Sequence, residues 1–310
     1  MTTQRDRAIV VSALKHAAPY IRLFKGKVFV LKAGGEVFAD TERTRALMEQ
    51  VGILHQVGIR VVLIHGGGPQ STALANALGV DSTFVEGRRV TDEGSLDVAT
   101  MVLNGQINTR VLAACRDLKI PAVGISGVDA GLIRAHRRPP VERRGESPVD
   151  YGFVGDIDSV EADILRKQLD NGLMPVVSPL SCDESGTLLN INADTVAAAI
   201  AAELDAEKLI LATGAPGILE DVKDPLSVIS YIDRAALAKL EADGKLADGM
   251  LPKAAAIDAA LANGVKRVHV ISYKLPDSLL LEVFTNEGTG TLVVNDVAAL
   301  TPAEQQGVGQ

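Results

Sequence analysis

Short β-branched runs recur along the chain, KVFVLKAGG, IRVVLIHGGG, MPVVSPL, EKLILATG and VKRVHVIS. Between them lie longer segments with helical spacing, such as TRALMEQVGILHQVG and GSLDVATMVLNGQINTRVLAACRDL. This alternation builds βαβ units, in which parallel strands are joined by crossover helices. The strand runs are apolar throughout, as in a sheet buried on both faces. The expected fold class is therefore α/β, a three-layer αβα sandwich with a mostly parallel central sheet. Ligands of such sheets sit beyond the carboxyl ends of the strands, which is where KAGG, HGGG and ATG fall.

The remainder of the sequence limits what that sheet can serve. With 310 residues the chain can bury one large domain or two lobes. A net charge of -8 and the absence of tryptophan disfavour a nucleic-acid surface. No secretory signal or membrane-length apolar run is present, so a cytoplasmic location is expected. Cys115 and Cys182 lack metal-ligand spacing and read as small buried residues. The N-terminal residues 1–25 read as an amphipathic helix that ends or kinks at Pro19 and stands apart from the core. Residues 26–200 and 201–300 form two expected lobes, with a boundary near residue 200. The stretch 136–150 reads as a protruding charged hairpin or loop, and TPAEQQGVGQ as a loose tail.

Several residues at strand ends carry chemistry. Lys32 precedes Gly34 and Gly35, so backbone N–H groups can turn toward an anion beside a full positive charge. Gly66, Gly67 and Gly68 repeat the pattern before a helix starting near Pro69, and two such nests suit one polyphosphate. GRRVTD places Arg88 and Arg89 in a loop before a helix beginning around Asp92, where an arginine fork can grip a carboxylate or stay solvated. Asn190, Asn192 and Asp194 share a strand face ahead of an alanine-rich helix, although one of them could serve only as its N-cap. Lys253 sits at a helix start, where the dipole disfavours a cation unless a phosphate is near.

Taken in order, KAGGEV, HGGGPQ, GRRVTD, NINAD and GMLPK resemble the amino-acid kinase family over roughly residues 15–295. The resemblance implies the carbamate kinase-like fold of that family. It also implies ATP-dependent phosphorylation of the γ-carboxylate of N-acetyl-L-glutamate, in arginine biosynthesis, with Mg2+ held chiefly by the nucleotide. Lys32 and Lys253 would stabilise the phosphoryl group in transit, and Asp194 would hold both lysines. Gly34, Gly35, Gly66, Thr213, Gly217, Gly249 and Met250 would join those lysines around ATP. Gly67, Gly68, Arg89, Asn190 and Asn192 would contact the acceptor. Three positions depart from the family pattern: Gly214 stands where Asp or Asn is usual, Arg88 where Leu is common, and Ser71-Thr72 where Ile-Asn is usual.

The N-terminal helix and LPDSLLLEVFTNEGTGTLV resemble the arginine-inhibited branch, with Tyr20, Glu282 and Gly288 at the effector positions. The same likeness implies a homo-oligomer, a dimer or a hexamer built through that helix. Alternatives are a kinase for another acidic amino acid or a carrier-linked aminoadipate, or a non-catalytic amino-acid sensor of the same fold. A dinucleotide oxidoreductase fails for want of a spaced G-x-G-x-x-G.

Overall fold

The apolar runs form a central eight-stranded sheet in the computed structural model, which describes residues 4–85, 88–143, 146–247, 249–285 and 288–299. The expected C-terminal tail lies outside the described residues. From one edge the order is Tyr231–Asp233, Thr291–Val294, Val268–Ser272, Lys208–Thr213, Val28–Ala33, Arg60–His65, Met174–Ser178 and Ala122–Ser126. Only the pairing of Val268–Ser272 with Thr291–Val294 is antiparallel within this sheet. Successive side chains of the central strand enter opposite cores: Val30 packs with Val62 and Ile64, whereas Phe29 and Leu31 pack with Leu63 and Val61. That division is why the middles of these strands are apolar on both faces.

The helices Ala162–Asp170, Ala193–Glu203 and Leu251–Ala262 supply one core, and Thr41–Gln56 and Ser278–Phe284 the other. Strand Val28–Ala33 lies at the switch point, with Arg60–His65 on one side and Lys208–Thr213 on the other. A crevice opens beyond its carboxyl end for that reason. The expected lobe boundary near residue 200 falls within helix Ala193–Glu203, and strands from both sides of it share the one sheet.

A second, four-stranded sheet combines Leu188–Asn190, Leu180–Cys182, Ile133–Arg137 and Gly155–Val160. Residues Val141–Arg143 and Glu146–Val149 pair as a hairpin beside it, within the stretch expected to protrude. The N-terminal helix spans Gln4–Phe24 and does not end at Pro19. Its far end is anchored by Phe24, whose ring meets that of Phe29 edge-on at 5.2 Å. Such anchorage by packing offsets the one backbone hydrogen bond that proline withholds. Cys115 is buried and Cys182 only half-buried. No helix among the described residues is long and apolar enough to cross a membrane.

Candidate active site

Lys32 is the last residue but one of the central strand, with its side chain turned into the crevice and 6% exposed. Its Nζ lies 2.8 Å from Oδ1 of Asp194, which is 3% exposed in the first turn of helix Ala193–Glu203. Lys253, in the first turn of Leu251–Ala262, approaches the other carboxylate oxygen at 3.3 Å. Burial alone would raise the Asp194 carboxyl, but the two ammonium groups outweigh it and hold the group below its ordinary value. Two cations and one anion leave a net positive charge in a secluded place, an arrangement suited to an incoming anion.

These three residues line a cavity of about 510 Å³ together with Gly34, Gly35, Gly66, Gly67 and Gly68. The two glycine turns are pressed together. A Cβ on Gly35 would stand 2.9 Å from the Gly67 Cα, and Gln70 Nε2 donates to the Gly35 carbonyl at 2.6 Å. A Cβ on Gly67 would meet Leu103 at 2.6 Å and Ile107 at 2.7 Å, so the protein itself forbids a side chain there. Gly68 has open space above it instead and begins helix Gly68–Leu78, whose first turn faces the cavity. Below the turn, His65 is fully buried, with Nε2 3.2 Å from Asn108 Nδ2. Burial pushes its pKa down to about 4.

The opposite wall holds the residues expected to meet the acceptor. Arg89 is in a short strand pairing with Phe84, not in a loop, because Phe84–Val85 provides an antiparallel partner. Its guanidinium donates to Ser82 Oγ at 2.6 Å and Thr72 Oγ1 at 2.5 Å and lies over the Phe84 ring. The helix that follows begins at Glu93, capped by Asp92. Asn190 ends a strand, but Asn192 is not on that strand: its Oδ1 accepts from the Asp194 and Thr195 N–H groups as an N-cap. Asn190, Asn192 and Asp194 nevertheless all line the cavity. Arg138, from the segment read as a charged loop, lines it too, aimed by two contacts of its Nε to Asp156 at 3.1 Å.

On the remaining side stand Thr213, Gly214 and Tyr273. Gly217 is buried elsewhere, where a Cβ would meet Thr291 Oγ1 at 2.7 Å and Val228 at 2.8 Å, because that turn packs against the start of strand Thr291–Val294. Gly249 and Met250 do not line the cavity either; the Gly249 carbonyl accepts from Lys253 Nζ at 3.4 Å. The sequence reading assigned no site role to Arg138, Tyr273, Thr72 or His65, although it singled out Ser71-Thr72 as a departure from the family pattern. Only Tyr273 carried a signal, its place just beyond the carboxyl end of a strand.

A separate buried polar group surrounds Glu282. Its Oε1 lies 2.6 Å from His269 Nδ1, and Oε2 accepts from the Thr289 N–H at 2.6 Å. Lys208 Nζ is 3.1 Å from His269 Nε2. An ammonium can only donate, so Nε2 accepts and Nδ1–H points to the carboxylate. Burial would raise Glu282, but the His269 and Thr289 bonds outweigh it and bring it to about 2. Gly288 abuts this carboxylate, a Cβ there standing 3.3 Å from Oε2. Tyr20 is on the N-terminal helix, which contacts Ser278–Phe284.

Residues 27–272 match the amino acid kinase family. An acetylglutamate kinase from Myxococcus xanthus is 47% identical over 93% of this chain and 95% of its own length. Among solved structures, N-acetylglutamate synthase from Neisseria gonorrhoeae, complexed with coenzyme A and N-acetyl-glutamate, superposes with TM-score 0.80 at 30% identity. That match covers 93% of this chain but 64% of the synthase chain. The same synthase complexed with coenzyme A and L-arginine gives 0.79 at 29% identity, covering 92% and 65%. Giardia carbamate kinase, 17% identical with TM-score 0.59 over 88% of this chain and the whole of its own, shares the fold.

Proposed function

The chain is an enzyme of the amino acid kinase family, and we propose that it transfers the γ-phosphoryl group of ATP to the γ-carboxylate of N-acetyl-L-glutamate, in arginine biosynthesis. The observation that carries this reading is Asp194 bridging Lys32 and Lys253 beside two glycine turns. A carboxylate oxygen attacks the γ-phosphorus while the bond to the ADP oxygen breaks. The acceptor is already an anion, so no proton has to be removed. The enzyme's work is positioning and charge neutralisation. Lys32 and Lys253 face the phosphoryl oxygens, and Asp194 keeps the two cations apart and aimed. The Gly68 helix terminus and the Gly34–Gly35 turn receive phosphates, with Thr213 on the nucleotide side.

Both oxygens of Asp194 are engaged by lysines, so Mg2+ fits this site only as an ion brought by the nucleotide phosphates. Bound there, it would neutralise charge on the β- and γ-phosphates. Arg89, fixed by Ser82 and Thr72, grips the acceptor's other carboxylate, and Asn190 and Asn192 meet its acetamido group. Residues 26–200 then serve as the acceptor-binding and dimerisation lobe and 201–300 as the nucleotide lobe.

Arginine feedback belongs to the same proposal. In this reading an arginine guanidinium exchanges for internal partners of the Glu282 carboxylate, with the Gly288 backbone and Tyr20 completing the site; its support is the buried Glu282 group beside Gly288 and the related synthase crystallised with L-arginine. The oligomer would join copies through the N-terminal helix. ADP release measured against a panel of acidic amino acids and their N-acetyl derivatives tests the reaction. N-acetyl-L-glutamate is expected to give the highest kcat/KM. A preference for a free amino acid would reassign the acceptor, and no release with any of them would leave a sensor.

A further inference from the structure

At the end of strand Lys208–Thr213, Gly214 is exposed on the cavity wall with no side chain. Two donors converge on the space that a Cβ would take. That point lies 3.3 Å from the Tyr273 hydroxyl and 3.7 Å from the Lys274 ammonium. The convergence is built into the sheet. Thr213 pairs with Ser272, and the next residue, Tyr273, donates its N–H to the Thr213 carbonyl at 2.9 Å. The Lys274 N–H in turn donates to Ser272 Oγ at 3.3 Å. Among the described residues the Tyr273 hydroxyl and the Lys274 ammonium make no side-chain hydrogen bond or ion pair, although the Glu36 carboxylate stands near enough to the phenol to act on it. The Tyr273 side chain lines the cavity and is only half-buried, so its hydroxyl is free to donate to a ligand there.

A neutral O–H donor and a cation set over bare backbone suit an anionic oxygen group, whose oxygens accept from both while the missing side chain gives them room, and at a nucleotide site that group is a phosphate. We propose that Tyr273 and Lys274 clamp a phosphate of the bound nucleotide over Gly214, as a contact additional to the glycine turns. This rests on the kinase reading of the cavity. Burial, then the neighbouring Glu36 carboxylate, raises the Tyr273 phenol, so it stays a donor at neutral pH. The strand-end geometry also limits what can stand at position 214, since any side chain there occupies the phosphate's place.

Calorimetric titration with a non-hydrolysable ATP analogue, and separately with adenosine, tests the clamp without turnover. Lys274→Ala is expected to raise the analogue's Kd about tenfold and Tyr273→Phe about fivefold, as for one charged and one neutral hydrogen bond. Gly214→Ser should weaken the analogue as well. Adenosine should bind all three variants as it binds the wild type. Lys274 is exposed, so its replacement tests the clamp even if a change at Tyr273 impairs folding. Wild-type binding of the analogue with indifferent Lys274→Ala and Gly214→Ser variants would overturn the clamp alone, as would an equal loss of adenosine. A wild type that binds no analogue would overturn the nucleotide reading and the clamp with it.

Discussion

At Asp194 the charge balance of the site is set by a single carboxylate. Asp194→Asn keeps the shape but leaves Lys32 buried beside Lys253 with no intervening anion. The two ammonium groups would repel and lose their aim, and groups that act on transition-state charge typically contribute 10²- to 10³-fold. Steady-state kinetics should therefore show kcat falling by about 10² or more, with smaller changes in the two KM values. A kcat near wild type would make Asp194 a structural residue. Lys253 was legible in the sequence because a cation at a helix start conflicts with the dipole unless an anion is near, and Lys32 because it precedes a glycine turn. The role of Asp194 came instead from the family resemblance, since an acid at a helix start is equally a cap. Arg138 was not, since nothing in HRRPP distinguishes a solvated arginine from one aimed by Asp156, a residue far along the chain. The glycines were legible as a close approach, but not its cause: for Gly67 the neighbours are Leu103 and Ile107 of a helix that the sequence could not dock.

Elements explain that docking. The long helical segment after Asp92 runs as Glu93–Thr100, a π-helical stretch Met101–Asn108, and Thr109–Asp117. Periodicity showed the helix but not the wide turn, because the π-helical stretch is only eight residues long, too few to establish a period of its own. The wide turn brings Leu103 and Ile107 onto Gly67, and Asn108 between His65 and the Val176 carbonyl, 2.9 Å away. His65 is neutral there, with its pKa lowered from 6.5 to about 4. The unfolded chain takes up a proton below about 6.5 and the folded one resists it, so this contribution to stability is complete above 6.5 and lost as pH falls toward 4. Denaturant midpoints measured from pH 7 to pH 5 should decline, and His65→Gln should decline less steeply. Parallel slopes would show that His65 is not the group responsible. The other element with a double task is helix Ala193–Glu203, whose cap, Asn192, also lines the cavity. Asn192→Ser keeps an N-cap oxygen but removes the amide donor, and Ser and Asn cap about equally well. The melting temperature should hold while the acceptor KM rises. A fall in melting temperature with unchanged KM would leave Asn192 a cap alone.

For the whole molecule the unexplained surface is the N-terminal helix. Ile9, Val10 and Leu14 are 59%, 57% and 63% exposed, and Ala13 and Ala17 share their side of the helix. The helix runs unbroken into Phe24 in the core, so whatever holds its outer part is mechanically joined to the body of the subunit. An apolar stripe left in water favours a partner, and two-fold contact between such helices would join dimers into a closed ring. The same helix carries Tyr20 and touches Ser278–Phe284, which carries Glu282. An effector bound between them would bias the helix direction and, through the ring, the relative rotation of subunits and the opening of each cavity. Deleting residues 1–18 should therefore reduce the assembly to dimers by light scattering, leave basal ADP release intact, and remove most of the inhibition by millimolar arginine. A deletion variant that keeps the full assembly would refute the helix contact. If the intact enzyme ignores arginine while the deletion still yields dimers, the helix serves assembly alone and the phosphoryl-transfer site stands unaffected, because none of its lining residues lies before Lys32.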